Sequence, residues 1–202
     1  MTKIKMCGLT RAEDIAAVNE IKPDYIGFVF AKKSKRFVSR EKAAELKAIL
    51  DKKIKAVGVF VDEDIKAVAE FLKCGIIDIA QLHGSEDNDY IVSLRAMTNK
   101  PVIKAFRIRT QEDIYKAQES AADMVLLDAG AGDGKTFDWS LIDTITRPYF
   151  LAGGLSPENA GEAVKTLHPY GLDVSSGIET DGYKDRIKMA EFADVIREEE
   201  EE

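Results

Sequence analysis

Two glycine-containing segments in the last third of the chain have the composition of an anion-binding site. Residues 153–156 read Gly-Gly-Leu-Ser and residues 175–178 read Ser-Ser-Gly-Ile, each after a mostly apolar run. Glycines let backbone N–H groups approach an anion closely, and the start of a helix adds the positive end of its dipole. We therefore expect phosphate to bind here; the alternative is that these glycines only form tight turns. The predicted phosphate-binding residues are Gly153, Gly154, Ser176 and Gly177.

Cys7 and Asp128 are the side chains whose chemistry could act on a bound phosphate ester. A lone cysteine is often only a small buried hydrophobic residue, and an aspartate at a strand end can cap a helix or pair with a lysine. Both residues nevertheless end short runs that read as strands. An acid and a thiol on either side of an anchored substrate suit proton transfer at adjacent carbons, which is isomerisation.

Eight strand-and-helix units position these residues. Short apolar runs predict strands at residues 4–7, 25–30, 56–61, 79–83, 102–107, 124–129, 149–153 and 172–176. A helical pattern follows each strand, which is typical of βαβ units and a parallel sheet. Eight units favour an α/β fold of the closed (β/α)8 TIM-barrel type with short loops over an open doubly wound sheet. Active sites of such barrels lie at the C-terminal strand ends, where strands six, seven, eight and one are neighbours.

Several helices carry recognisable start signals. Thr10 with Glu13 fits a capping box, Thr110 is a candidate cap, and Ser156 precedes a proline in the first turn of a helix. The sixth helix is predicted to be short, at residues 139–145, and the last to cover residues 183–197.

The composition describes one ordinary globular domain. The 202 residues are 45% hydrophobic and 32% charged, so a sizeable core can form. We predict a barrel domain over residues 1–197 and a disordered acidic tail over residues 198–202. The net charge of −7 disfavours nucleic acid and anionic lipid as partners.

Apolar runs and cysteines add further expectations. No run has the length of a signal peptide or a membrane span, so a cytoplasmic protein with no membrane partner is predicted. The two cysteines lack metal-binding spacing, and no metal or other cofactor is expected.

Two further side chains could bind a substrate. Arg36 lies in the connection after the second strand, where a guanidinium could hold a carboxylate through two hydrogen bonds. A solvated basic loop is the alternative for this segment. His83 ends the fourth strand and is expected to hydrogen-bond in the site rather than to catalyse. His168 and Cys74 are interpreted as structural.

Six segments that run in order through nearly the whole chain resemble the phosphoribosylanthranilate isomerase family. They are KMCGLT at 5–10, SKRFVS at 34–39, QLHG at 81–84, LLDAGAGDGKTFDW at 126–139, LAGGLSPENA at 151–160 and LDVSSGIE at 172–179. Each is weakly specific alone, but together they are highly specific. The chain differs from the usual family pattern at Lys35, where proline is common, and in the short segment at 132–135.

The resemblance implies a metal-free Amadori rearrangement of N-(5-phosphoribosyl)anthranilate to 1-(2-carboxyphenylamino)-1-deoxyribulose 5-phosphate, a step of tryptophan biosynthesis. It implies that Cys7 is the general base, Asp128 the general acid, and Arg36 the ligand of the anthranilate carboxylate. A thiolate base needs a pKa lowered by nearby positive charge, for which Lys5 has the right parity on its strand. The expected ligand is a small phosphorylated substrate, and the protein is expected to be a monomer or a homodimer.

Other interpretations predict different residues. A related isomerase acting on an aminoaldose of histidine biosynthesis would carry an aspartate where this chain has Cys7. A metal-dependent pentose-phosphate epimerase would need several histidine and acidic ligands, and the chain has 2 histidines. A catalytically inactive barrel used as a binding module would not need to keep both Cys7 and Asp128.

Overall fold

Eight parallel strands close into a barrel in chain order. The structure, a computed structural model, describes residues 1–128 and 139–199, apart from the side chains at 140 and 143. Pairing of the first strand with the eighth, with Lys5 opposite Asp173, closes the sheet. The predicted TIM barrel is confirmed and the open sheet is excluded. The strands are β1 Lys3–Cys7, β2 Tyr25–Val29, β3 Lys55–Phe60, β4 Ile79–Leu82, β5 Val102–Arg107, β6 Met124–Asp128, β7 Tyr149–Ala152 and β8 Gly171–Val174.

Helices pack on the outside of the barrel, and each follows a strand in the chain, the last one after β8. They are α1 Ala12–Ile21, α2 Arg40–Ala48, α3 Ile65–Lys73, α4 Asn88–Thr98, α5 Gln111–Gln118, α6 Pro157–Leu167 and α7 Arg186–Glu199. A 3-10 helix, Trp139–Thr144, stands between β6 and β7, where a short helix is predicted. Within the described ranges, no helix has the length and apolar composition needed to cross a membrane. The segment at 132–135 that differs from the family pattern lies outside the described residues.

The sheet separates two apolar layers, because side chains alternate between its two faces. One layer fills the space between sheet and helices, and Met6 and Ile26 are among its fully buried members. The other fills the lower barrel interior with Val57, Ile103, Leu126 and Phe150 among its members. Side chains above this inner layer therefore point into the mouth of the barrel.

The caps of α5 and α6 are confirmed, whereas the predicted box at the start of α1 is wrong. Helix α1 begins one residue later, with Arg11 at its N-cap position. The carboxylate of Asp14 accepts hydrogen bonds from the N–H groups of Thr10 at 2.9 Å and Arg11 at 3.0 Å. Asp14, and not the predicted Glu13, therefore accepts hydrogen bonds from the free backbone N–H groups at this helix end.

The predicted start of the last helix at Tyr183 is also wrong. Tyr183–Lys184 forms a short strand, β10, which pairs antiparallel with β9, Glu179–Thr180. Between them, Asp181 and Gly182 have φ values of 52° and 81°, a hairpin geometry that an Asp-Gly pair favours. Helix α7 then starts at Arg186 and runs through two residues of the predicted acidic tail; residues 200–202 lie outside the described part.

Candidate active site

A cavity of about 310 Å³ opens at the C-terminal ends of the barrel strands. Its walls combine apolar side chains with the thiol, carboxyl, imidazole and guanidinium groups singled out in the sequence. Gathering these groups at one end of the barrel follows from closure of the sheet. The lining residues with polar chemistry are Cys7, Ser34, Arg36, Gln81, His83, Asp128, Gly153, Gly154, Asp173, Ser175 and Ser176.

The two glycine-containing turns meet on one side of this cavity. Gly153 and Gly154 have φ values of 92° and 67°, a region that favours glycine, and helix α6 starts just after them. Ser176 opens a short 3-10 helix, Ser176–Ile178. Backbone N–H groups at these two starts are placed to bind an anion.

Gly177 lets the two turns pack together. A Cβ atom at this position would lie 1.9 Å from the carbonyl oxygen of Leu155, closer than any side chain allows. Gly153, Gly154 and Ser176 line the cavity, while Gly177 lies at the contact behind them. The structure thus gives Gly177 a packing reason in addition to any contact with an anion.

Cys7 ends β1 with its sulfur toward the barrel interior. The sulfur lies over β2 at Gly27, where a Cβ atom would be only 2.5 Å from Sγ. Burial raises the pKa of the Cys7 thiol, and the positive charges of Lys5 and Lys184 only partly oppose this. The expected net lowering of the pKa is therefore wrong, although Lys5 acts in the expected direction.

A buried ion pair forms the floor beneath the thiol. The Lys5 ammonium lies 2.8 Å from the Asp173 carboxylate, with 0% and 8% of the two side chains exposed. Burial opposes the charge on Lys5, but Asp173 and Cys7 outweigh it, so the pKa of Lys5 is raised. Beside them Gln81 Oε1 and Asp173 Oδ1 accept no hydrogen bond from the described residues.

Asp128 stands at the end of β6 with His83 as a neighbour. His83 Nε2 lies 3.2 Å from Asp128 Oδ2, and 17% of the Asp128 side chain is exposed. Both side chains line the cavity. This arrangement agrees with His83 as a hydrogen-bonding group that orients the carboxyl.

Arg36 reaches the cavity rim from a loop held by tight turns. Phe37, its neighbour, pairs with Val29 at the end of β2, and Ser34 Oγ accepts the Arg36 N–H at 3.1 Å. The guanidinium is not solvated freely: Glu179 accepts from its Nε at 2.6 Å and from its Nη2 at 2.8 Å.

Three functional candidates, Asp173, Glu179 and Lys184, are missed by reasoning from the sequence, whereas Lys5 is singled out there as a neighbour of Cys7. A charged residue within an otherwise apolar strand, such as Lys5 or Asp173, marks the polar floor. The other two, Glu179 and Lys184, lie on the hairpin, of which only residues 183–184 fall within the predicted helix. The other singled-out residues are remote from the cavity: His168 follows α6, and exposed Cys74 contacts Arg40 at 3.2 Å.

No group of three or more His, Cys, Asp or Glu side chains among the described residues is arranged to hold a metal ion. The cavity offers a thiol, carboxyl groups, an imidazole, a guanidinium and an anion-binding backbone.

Comparison with known proteins identifies one family. The sequence profile for N-(5'phosphoribosyl)anthranilate (PRA) isomerase matches residues 4–195. A protein of that activity from Thermoanaerobacter sp. (strain X514) is 44% identical over 204 residues, covering 98% of each chain. One from Endomicrobium trichonymphae is 45% identical, over 98% of this chain and 99% of the relative.

Solved structures of isomerases with this activity have the same fold. Phosphoribosyl anthranilate isomerase from Thermotoga maritima has a TM-score of 0.89 at 34% identity, covering 98% of this chain and 100% of that one. A phosphoribosyl anthranilate isomerase in complex with reduced 1-(o-carboxyphenylamino)-1-deoxyribulose 5-phosphate has a TM-score of 0.87 at 34% identity, with the same coverage.

Proposed function

The chain belongs to the N-(5'-phosphoribosyl)anthranilate isomerase family, and on this basis we propose how the residues of its cavity divide the reaction between them. The protein catalyses the Amadori rearrangement of N-(5'-phosphoribosyl)anthranilate in tryptophan biosynthesis. Cys7 is the general base and Asp128 the general acid. The observation that carries this assignment is that a thiol, a carboxyl group and two glycine-containing turns line one cavity.

Two anionic groups anchor the substrate. Its phosphate binds the backbone N–H groups near Gly153, Gly154 and Ser176, with Gly177 supporting the contact between the turns. Its anthranilate carboxylate binds Arg36 at the rim of the same cavity. This orientation places the sugar carbons between Cys7 and Asp128, so that proton transfer becomes an intramolecular event.

The reaction needs one proton donor and one proton acceptor. Asp128, oriented by His83, donates a proton to the ribose ring oxygen, the C1–O bond breaks, and the nitrogen lone pair forms a protonated imine. The imine makes the proton on C2 acidic, and the thiolate of Cys7 removes it. The resulting enolamine tautomerises to the ketone. Because burial raises the pKa of the thiol, the adjacent Lys5 ammonium has to favour the reactive thiolate.

The activity itself has a direct test. Purified protein added to freshly prepared N-(5'-phosphoribosyl)anthranilate should abolish the fluorescence of the anthranilate group as the product forms. Persistence of the fluorescence with well-folded protein would contradict the function.

Arg36→Ala is expected to weaken substrate binding more than turnover, since the guanidinium holds a group remote from the reacting carbons. The loss in affinity should be about tenfold or more, the scale of hydrogen bonds to a charged group. Calorimetric titration with the reduced product analogue measures this loss. Arg40→Ala, which removes a surface guanidinium next to Cys74, is the matched control. Unchanged affinity in Arg36→Ala would contradict the carboxylate role.

Lys5→Met is expected to raise the pKa of the Cys7 thiol further, because the nearest positive charge is removed. The shift should be about one pH unit or more. The pH dependence of Cys7 alkylation by iodoacetamide measures it. The control is Lys3→Met, which breaks an ion pair of 2.9 Å with Asp24 at the other end of the same strand. An unshifted alkylation profile in folded Lys5→Met would remove Lys5 from the mechanism.

The other partners follow from composition and from relatives. We propose a cytoplasmic enzyme that needs no cofactor and binds neither nucleic acid nor membrane. A monomer and a homodimer are both compatible with a relative from Thermotoga maritima, a dimeric isomerase from which monomers have been generated.

A further inference from the structure

Glu179 bridges two cations at the edge of the cavity. Its carboxylate accepts the two hydrogen bonds from Arg36, and Oε1 also accepts from Lys184 Nζ at 2.6 Å. The carboxylate side chain is 12% exposed. Both bonds to Arg36 use Nε and Nη2, which leaves Nη1 without a hydrogen bond to the described residues. This fixes the plane of the guanidinium and leaves one edge available to a ligand.

Lys184 connects this carboxylate to the phosphate-binding side. Its Nζ donates to the carbonyl of Ser175 at 2.8 Å and approaches Ser175 Oγ at 3.3 Å. Ser175 Oγ in turn donates to the carbonyl of Cys7 at 3.0 Å. The next residue, Ser176, opens the 3-10 helix of the phosphate site. One hydrogen-bonded chain therefore runs from the guanidinium to the anion-binding turn.

The stem of Arg36 is restrained as well as its head. A Cβ atom at Gly8, where φ is 82°, would lie 2.4 Å from Arg36 Cδ. The side chain thus packs directly on the backbone that follows Cys7. A long side chain fixed at both stem and head loses less entropy when it binds a ligand.

The charges in this chain of contacts support one another. Burial disfavours an ionised Glu179, but the hydrogen bonds from Arg36 and Lys184 hold the pKa of this carboxyl below its usual range. The carboxylate is accordingly charged at neutral pH. It offsets the two cations, so that Arg36 is available for a single additional anion.

We infer that Glu179 is a positioning residue that fixes the separation between the Arg36 guanidinium and the phosphate-binding turn, and so selects substrates by the spacing of their two anionic groups. The inference rests on the proposed function, in which these two sites bind carboxylate and phosphate. A compound that carries both anions at the required spacing gains both contacts. A compound with the carboxylate elsewhere on the ring gains only one.

Three probes test this selection. They are reduced 1-(o-carboxyphenylamino)-1-deoxyribulose 5-phosphate, its para-carboxyl isomer, and the phenylamino compound without a carboxyl group. Calorimetric Kd values are measured for wild type, Glu179→Gln and Arg36→Ala. Glu70→Gln is the matched control, because Glu70 accepts from Arg40 at 3.0 Å on the surface, away from the cavity.

Glu179→Gln should weaken the ortho probe by about tenfold, the scale of one lost charged hydrogen bond, and leave the carboxyl-free probe unchanged. In Glu179→Gln the ratio of the Kd values for the para and ortho isomers should therefore decrease. In Glu70→Gln this ratio should equal that of the wild type. Equal weakening of the ortho and carboxyl-free probes, or an unchanged ortho affinity, would overturn the inference. Unchanged ortho affinity in Arg36→Ala would instead overturn the proposed carboxylate site.

A second variant covers the case in which Glu179→Gln does not fold. Glu179→Asp keeps a negative charge beside Lys184, but its shorter side chain cannot reach Arg36 with both oxygens. The same selective loss of the ortho probe is expected. A wild-type preference for the ortho isomer in Glu179→Asp would contradict the positioning role.

Discussion

Cys7→Ala lowers the rate of isomerisation by at least about 10²-fold while the barrel remains folded. The substitution removes the only atom of this side chain that can accept the C2 proton. The missing sulfur leaves a small space over Gly27, which costs far less stability than deletion of a large core side chain. Steady-state fluorescence kinetics measure the rate, and circular dichroism during heating measures the fold.

The second cysteine supplies the control for this experiment. Cys74 is exposed at the end of α3, so Cys74→Ala should keep the full rate. The affinity of Cys7→Ala for the reduced product analogue should stay close to that of the wild type, because the thiol removes the C2 proton and does not anchor the ligand. Normal turnover by Cys7→Ala would show that another group is the base.

Asp128→Asn should also lose at least about 10²-fold in rate, because an amide of the same shape cannot donate a proton to the ring oxygen. The contact with His83 can persist, so binding of the product analogue should change little. Single-turnover kinetics would place the loss before the imine forms. The slowed step in Asp128→Asn is thus ring opening, whereas the slowed step in Cys7→Ala follows it.

Asp87→Asn is the matched control for the acid. Asp87 caps α4 by accepting the Tyr90 N–H at 2.9 Å, and asparagine caps helices equally well. The Asp87→Asn variant is expected to have full activity. An active Asp128→Asn variant would leave ring opening to another acid of the cavity, such as Asp173.

The sequence was sufficient to predict the barrel and most of its mouth. Regular alternation of apolar runs and helical patterns gives the order of elements, and closure of the sheet then brings Cys7, Asp128 and the glycine turns together. Strand ends were predicted within one or two residues because apolar side chains stop where the sheet does. These features depend only on local sequence patterns and on the topology of a closed barrel.

Contacts between distant parts of the chain were not predictable in the same way. Arg36 and Glu179 are 143 positions apart, and their pairing depends on a hairpin whose second strand, Tyr183–Lys184, falls within the predicted last helix. The net direction of the Cys7 pKa shift was also wrong. It depends on how completely the thiol is buried, which no spacing of residues along a strand reveals.

The seam between β1 and β8 has a consequence for the biosynthesis of the protein. Lys5 is translated near the beginning of this sequence, whereas its counter-ion, Asp173, emerges most of the chain later. An ammonium group enclosed without that carboxylate would be strongly destabilising. A nascent polypeptide on the ribosome therefore cannot complete its interior until the eighth strand is synthesised, and fragments that stop before it should be poor at folding alone.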